Sequence, residues 1–395
     1  MPSRRQLLLG GAATLAATTT GIGLGAAPAA AAPTALTASD FRLAASGVSG
    51  LLDDLDALLP VVSVGDVVDS ANRTGAAASP HASNLSAAFT WQSGDNTVTY
   101  WIPQGITSSA DAYAAGTYDG KTVLLASWYY DDTGVDKGVR VSFVDYSTPS
   151  APTYRHVLLV EPYTDSAGHP NFKPIAVHAG GLCWYGYYLY VPDTWNGFRV
   201  FDMRHIWQVT TGDSSAIGRQ SDGTYQAFDY LYVLPQAMHY TSSTVNGAAA
   251  LRYSCVSLDR SSVPDSLIVA EYNVDGDDTS GAGTRVVRFP IDYTTRMLTA
   301  SSDGYVHGSE AYRVFVPSVQ GGACVSGKFY LSASNGSSGY GSLWTFTASS
   351  GPTKYASAMP IGNEDLSYWP AKDQLWTLTE YAGIRYVLSV TASAF

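Results

Sequence analysis

Five polar residues each stand at or near a proline in a segment rich in aromatic and β-branched side chains. They are Gln104 in Tyr100-Trp101-Ile102-Pro103-Gln104-Gly105, Gln236 in Tyr232-Val233-Leu234-Pro235-Gln236-Ala237, Gln320 in Val316-Pro317-Ser318-Val319-Gln320-Gly321, His178 in Lys173-Pro174-Ile175-Ala176-Val177-His178-Ala179, and Glu364 in Met359-Pro360-Ile361-Gly362-Asn363-Glu364-Asp365. His239 and Asp365 follow close behind two of them. Amides hydrogen-bond hydroxyls, an imidazole exchanges protons near neutrality, and a carboxyl gives or takes a proton. Gathered in one place, these groups would form an amide-rich rim with acid–base capacity, which suits a glycan.

Among them, His178 and Glu364 are the expected catalytic groups. Gln104, Gln236, His239, Gln320 and Asp365 are expected substrate contacts, together with Trp184 and Trp369, which stand near His178 and Glu364 and offer flat faces for stacking on a sugar. Glu364 and Asp365 are adjacent on a strand, so only one can look into a common cavity. A ring of polar caps bridged by water is the bland alternative for the whole set. The remaining histidines, His81, His156, His169, His205 and His307, read as structural or exposed. No two histidines have metal-ligand spacing, so no metal is assigned. Asp275-Gly276-Asp277-Asp278 lacks the glycine and terminal glutamate of a calcium loop and reads as a solvated hairpin tip, leaving calcium open and no other cofactor implied.

What must position the five residues is a repeated strand-and-turn unit, the signature of a β-propeller. From Ala87 onward short strands alternate with turns such as Asp119-Gly120, Asn196-Gly197 and Asn335-Gly336, with almost no helical periodicity. The intervals between repeat openings are 74, 58, 84 and 44 residues. A four-stranded blade takes about 40 to 50 residues. An all-β fold follows: one propeller over residues 87–395, five-bladed by first choice, with six or seven blades if the long intervals hide another. The two strands legible after Gln374 leave the last blade short, so the strand-like segment beginning at Ala88 is expected to complete it and close the ring.

Residues 33–86 read as an N-terminal helix and linker. Leu51, Leu52, Leu55, Leu58 and Leu59 recur at helical spacing within a helix expected over residues 39–59, and Pro60 ends it. Residues 1–32, with Arg4-Arg5 before a Gly/Ala/Leu stretch and Ala30-Ala31-Ala32 as a cleavage site, have the form of a twin-arginine export signal. The mature chain is expected to be secreted, free of the membrane and monomeric. Loss of Arg4 and Arg5 with no acid moves the formal charge from −11 to −13, which excludes a nucleic-acid partner. Charged residues are only 14% of the chain while it holds 27 tyrosines and 9 tryptophans, so its surface chemistry suits a neutral or polar ligand such as a poly- or oligosaccharide. Cys183, Cys255 and Cys324 cannot all pair, and read mainly as small core residues with one disulfide as the competing reading.

The architecture resembles that of secreted actinobacterial propellers and of five-bladed propeller carbohydrate-active enzymes, though the motifs tie the chain to no catalytic family. That resemblance implies carboxylates on the inner strands of different blades, and here only Glu364 among the five openings is acidic. An eliminating lyase would fit the residues as well, with His178 as base, a tyrosine as acid, and Arg140, Arg199 or Arg385 neutralising a uronate. The expectation is a polysaccharide-degrading enzyme, lyase or glycosidase. A lectin-like or partner-binding propeller is the alternative.

Overall fold

Runs of side chains buried on both faces, cut by glycine turns, give the chain its inner strands, and the pairing of the strands gives it the architecture. The computed structural model describes residues 31–274, 276 and 283–395. The export-signal reading therefore lies almost wholly outside the described residues, and so do Asp275, Asp277 and Asp278 of the acidic stretch.

The described residues form a nearly closed, propeller-like ring of antiparallel units, which are taken below in chain order. The first unit runs Trp101–Ser108, Val123–Tyr130, Val139–Asp145 and Thr153–Thr164. In the second, Cys183–Tyr185, Tyr188–Asp193 and Gly197–Asp202 lead to Tyr232–Thr244. The third comprises Cys255–Asp259, Ser266–Ala270, Thr284–Pro290 and Glu310–Val314. The fourth is a plain meander from Val319–Val325 to Ser350–Met359. In the fifth, Ser367–Trp369, Gln374–Leu378 and Tyr386–Thr391 are completed by Leu85–Thr90 from the other end of the chain. This closure removes the edge that an open ring would leave unpaired.

The first strand of each unit faces the axis, and glycines there let backbones meet. A Cβ on Gly105 would stand 2.5 Å from the Gly181 carbonyl carbon, one on Gly181 2.4 Å from the Val256 nitrogen, and one on Gly321 2.7 Å from the Asp365 Cα. The three cysteines are unpaired and buried, one on each inner strand of the second, third and fourth units. They serve as small apolar fillers between crowded backbones.

The segment ahead of the ring departs from the expected helix and linker. It holds two short helices, Leu51–Asp56 and Val64–Asp69, and Phe41–Ala45 is a strand added to the outer edge of the second unit. Phe41 and Leu43 are buried while Arg42 is not, a two-residue period that packs Leu43 on the sheet. Further short pieces, Thr34–Ala35, Arg73–Thr74 and Ala76–Ala77, pair with the third, first and fifth units. Residues 34–77 thus form a belt along the outer edges of four units, where a helix and linker were expected. No described helix is long and apolar enough to cross a membrane.

Beneath the first unit lies a buried polar relay. Trp128 donates its indole N–H to Ser142 Oγ at 2.8 Å, Ser142 Oγ lies 2.9 Å from His156 Nδ1, and His156 Nε2 lies 3.1 Å from Asp95. Arg140 and Arg73 also pair with Asp95. Asp95 sits just after the closing strand, so the relay ties the closure to the first unit.

Candidate functional site

At one end of the axis, the starts of the inner strands enclose a cavity of about 180 Å³. Four of the five repeat openings line it: Gln104, His178, Gln320 and Glu364. Each comes from a different unit. The third unit contributes Arg252 and Ser254, just ahead of its inner strand.

Gln236 is the opening that does not reach the cavity. The strand Tyr232–Thr244 is the outermost of the second unit, pairing in parallel with Leu158–Val160 of the first. There Gln236 accepts a hydrogen bond from Arg199 at 2.7 Å. His239 is exposed on the same outer strand, its backbone bonded to Ser46. Trp184 and Trp369 are also core residues: Trp184 is fully buried and donates to the Gly186 carbonyl, and Trp369 packs under Gly116 and Lys372. Neither offers a face to a sugar.

Glu364 and Asp365 divide the two sides of their strand. Glu364 lines the cavity, is 1% exposed, and its Oε1 meets no partner. Burial, reinforced by the nearby carboxylates of Glu380 and Asp365, drives its pKa well above the ordinary value. Its neutral, protonated form is therefore favoured, which leaves it able to donate a proton. Asp365 turns away from the cavity and its Oδ2 accepts the backbone N–H of Ile106 at 3.0 Å and of Leu182 at 3.1 Å. It is a clamp between the first two inner strands, not a substrate contact.

His178 is half-buried, its ring 4.6 Å from that of Tyr129 at a tilt of 43°. Ala179, next in sequence, has φ 54° and is completely buried. A left-handed alanine is costly, and it persists because its carbonyl accepts Ser127 Oγ at 2.8 Å and Gly180 beside it abuts the Ser254 carbonyl. The strained backbone fixes the approach of His178 to the cavity.

The other groups at the cavity come from loops after the second strand of a unit. Asp193 ends the strand Tyr188–Asp193 and Trp195 lies two residues beyond it, as Tyr272 lies two residues beyond Ser266–Ala270. In an antiparallel unit the second strand ends where the first begins, so these hairpin tips share the end of the axis with the repeat openings. Asp193 is held by Arg199 at 2.9 Å and Asn196 at 3.0 Å. Trp195 is 51% exposed, and the Arg252 guanidinium lies 5.7 Å from its ring and 5.0 Å from that of Tyr272. The arginines named from sequence lie elsewhere: Arg140 and Arg385 are buried against the closure, and Arg199 holds Asp193.

No protein-family model matches the chain, and no curated protein sequence matches it. Among solved structures, it is similar to the β-propeller domain of Myceliophteria thermophila Cps50 (Swd1), at 8% identity and a TM-score of 0.35, over 75% of this chain and 98% of that one. It is similar to a GH43 β-xylosidase/α-arabinofuranosidase from a compost metagenome, solved with xylotriose, at 10% identity and a TM-score of 0.33, over 79% and 94%. A GH43_1 enzyme from Xanthomonas citri gives 10% and 0.33, over 86% and 92%. None of these likenesses carries a site residue over to this chain.

Proposed function

We propose that the protein is a carbohydrate-directed enzyme that cleaves a poly- or oligosaccharide at the hub cavity, with Glu364 delivering the proton to the departing sugar oxygen. The observation that carries the reading is a buried carboxyl whose Oε1 has no partner, on the wall of a cavity lined also by two amides and an imidazole, where burial raises its pKa. Both elimination and hydrolysis need an acid at that oxygen. His178 is the base of an eliminating reaction, taking the proton beside a uronate carboxylate. In hydrolysis the second carboxyl is Asp193. Gln104 and Gln320 orient hydroxyls, and Trp195 offers a stacking face at the rim.

The arginine pair ahead of an Ala-rich stretch supports export through the twin-arginine route and action outside the cell, as a monomer. A second reading is a lectin-like propeller: among the described residues the only other carboxylate lining the cavity, Asp193, is already bound in an ion pair, which favours binding without turnover.

The test is product formation on a panel of plant and microbial polysaccharides, read both as reducing ends and as ultraviolet absorbance from new unsaturated bonds. Absorbing products indicate elimination, and reducing ends without absorbance indicate hydrolysis. Binding without either supports the lectin.

A further inference from the structure

Beside the hub cavity, and sharing Trp195, Arg252 and Tyr272 with it, lies a larger depression of about 700 Å³ on the third unit. Its charges are unevenly satisfied. Glu271 binds Arg285 through both oxygens at 2.6 Å, and Arg285 also donates to the Ala249 and Ala250 carbonyls. That pair is closed. Arg252 gives one terminal nitrogen to the Tyr272 carbonyl at 3.2 Å, yet its Nε is buried with no acceptor. Arg313 also has a buried Nε without an acceptor, and its aliphatic stem lies against Gly283, where a Cβ would come 2.7 Å from the Arg313 Cγ. Among the described residues, the one acid lining this depression besides Glu271 is Asp40, which accepts a hydrogen bond from Asn246 at 2.7 Å.

Two guanidinium groups with desolvated, unpaired Nε atoms are costly in a chain of formal charge −11 unless something accepts from them. A guanidinium edge of Nε and a terminal nitrogen matches a planar or tetrahedral oxyanion through two parallel hydrogen bonds. Arg252 is also held between Trp195 and Tyr272, a stacked arrangement that keeps its edge oriented.

From this we propose that the depression is an anion-accepting subsite, with Arg252 and Arg313 receiving a charged substituent of a sugar, either a uronate carboxylate or a sulfate ester. Resting on the carbohydrate reading above, it narrows the substrate to an acidic glycan whose chain runs from the depression into the hub cavity. Arg252 is at the junction, where it meets the unit entering the cavity. Arg313 meets a unit farther out.

The test is calorimetric binding to the Glu364→Gln protein, which is impaired in turnover and leaves both arginines in place. Three probes separate the sources of charge: tetragalacturonate for carboxylate, a carrageenan tetrasaccharide for sulfate, and xylotetraose as the neutral control. We expect one acidic probe to bind more tightly than the neutral one, with its affinity falling as salt is raised. Adding Arg313→Gln or Arg252→Gln should weaken that probe about tenfold or more, the worth of one charge-assisted hydrogen bond, and leave xylotetraose unchanged. Thermal midpoints equal to that of the parent show that the fold is kept. Equal affinity for neutral and acidic probes, or no change in Arg313→Gln, overturns the subsite. The outcome is separable from the catalytic reading: arginine-dependent binding with no product from the wild-type protein sinks catalysis alone, and product from neutral glycans only sinks the subsite alone.

Discussion

Glu364 and Asp365 are consecutive in the chain and serve opposite sides of the ring, Glu364 lining the hub cavity while Asp365 accepts two backbone N–H groups from strands 183 and 259 residues away in sequence. The site and the scaffold that holds it thus meet at one peptide bond. Asp365→Ala leaves both N–H groups unsatisfied, at about 1–3 kcal/mol each. Urea unfolding is expected to show a loss of about 2–6 kcal/mol. Burial raises the Asp365 pKa well above 3.8, so the folded state holds a proton that the unfolded chain releases. Stability from this group is full below 3.8 and falls as pH rises toward the raised value. Asp365→Asn keeps an acceptor and removes that pH dependence, so its unfolding midpoint should vary less with pH than that of the wild type.

The inner ring tolerates no extra carbon. A Cβ on Gly180 would sit 2.0 Å from the Ser254 carbonyl oxygen, and one on Gly181 2.4 Å from the Val256 nitrogen, both backbone atoms that cannot swing away. Gly180→Ala and Gly181→Ala should each cost about 3 kcal/mol or more. Gly47, with nothing within 4 Å, provides the control: Gly47→Ala should change the denaturation midpoint little.

Acid sensitivity should come from the relay beneath the first unit. Burial, with Arg140 nearby, pushes the His156 pKa down to about 3 from 6.5, and the paired Asp95 is held below its ordinary range as His156, Arg140 and Arg73 overcome the cost of burial. Below pH 6.5 the unfolded chain gains a proton at His156 that the native state refuses until about pH 3. Stability therefore falls as pH falls through that window. In urea melts near pH 7 and about pH 4, His156→Gln should narrow the difference between the two.

Closure of the ring depends on Leu85–Thr90, and Phe89 is its buried anchor, packed on Trp91 and Tyr146. Phe89→Ala should cost about 3–5 kcal/mol. Loss should appear as a lower thermal midpoint with one cooperative transition, since the fifth unit cannot stand without its last strand.

Four repeat openings were legible in the sequence because proline, a polar residue and small residues recur where inner strands crowd the axis. Tyr232–Ala237 imitates them for another reason. It is buried between the outer edges of two units, and strand composition reports burial rather than distance from the axis. A usable signal was present in the cysteines: Cys183 and Cys324 follow His178 and Gln320 by five and four residues, and the same offset from Cys255 points to residues 250–251, beside Arg252. Trp195, Asp193 and Tyr272 carried no repeat, but each lies at or just beyond the end of the second strand of a unit, a place fixed by antiparallel geometry. Phe41–Ala45 was hidden because its alternation covers only two large apolar residues, beside an arginine and two alanines.

The measurement that bears most directly on the account is the rate of glycan cleavage by the Glu364→Gln protein, with binding measured alongside. General-acid catalysis contributes about 10²–10⁴-fold, so the variant should bind the cleaved glycan as the wild type does while product formation falls by about that factor. Wild-type activity should also decline as pH rises through the raised pKa of Glu364. Product formation undiminished in Glu364→Gln would contradict the assignment of the hub cavity as the site of chemistry.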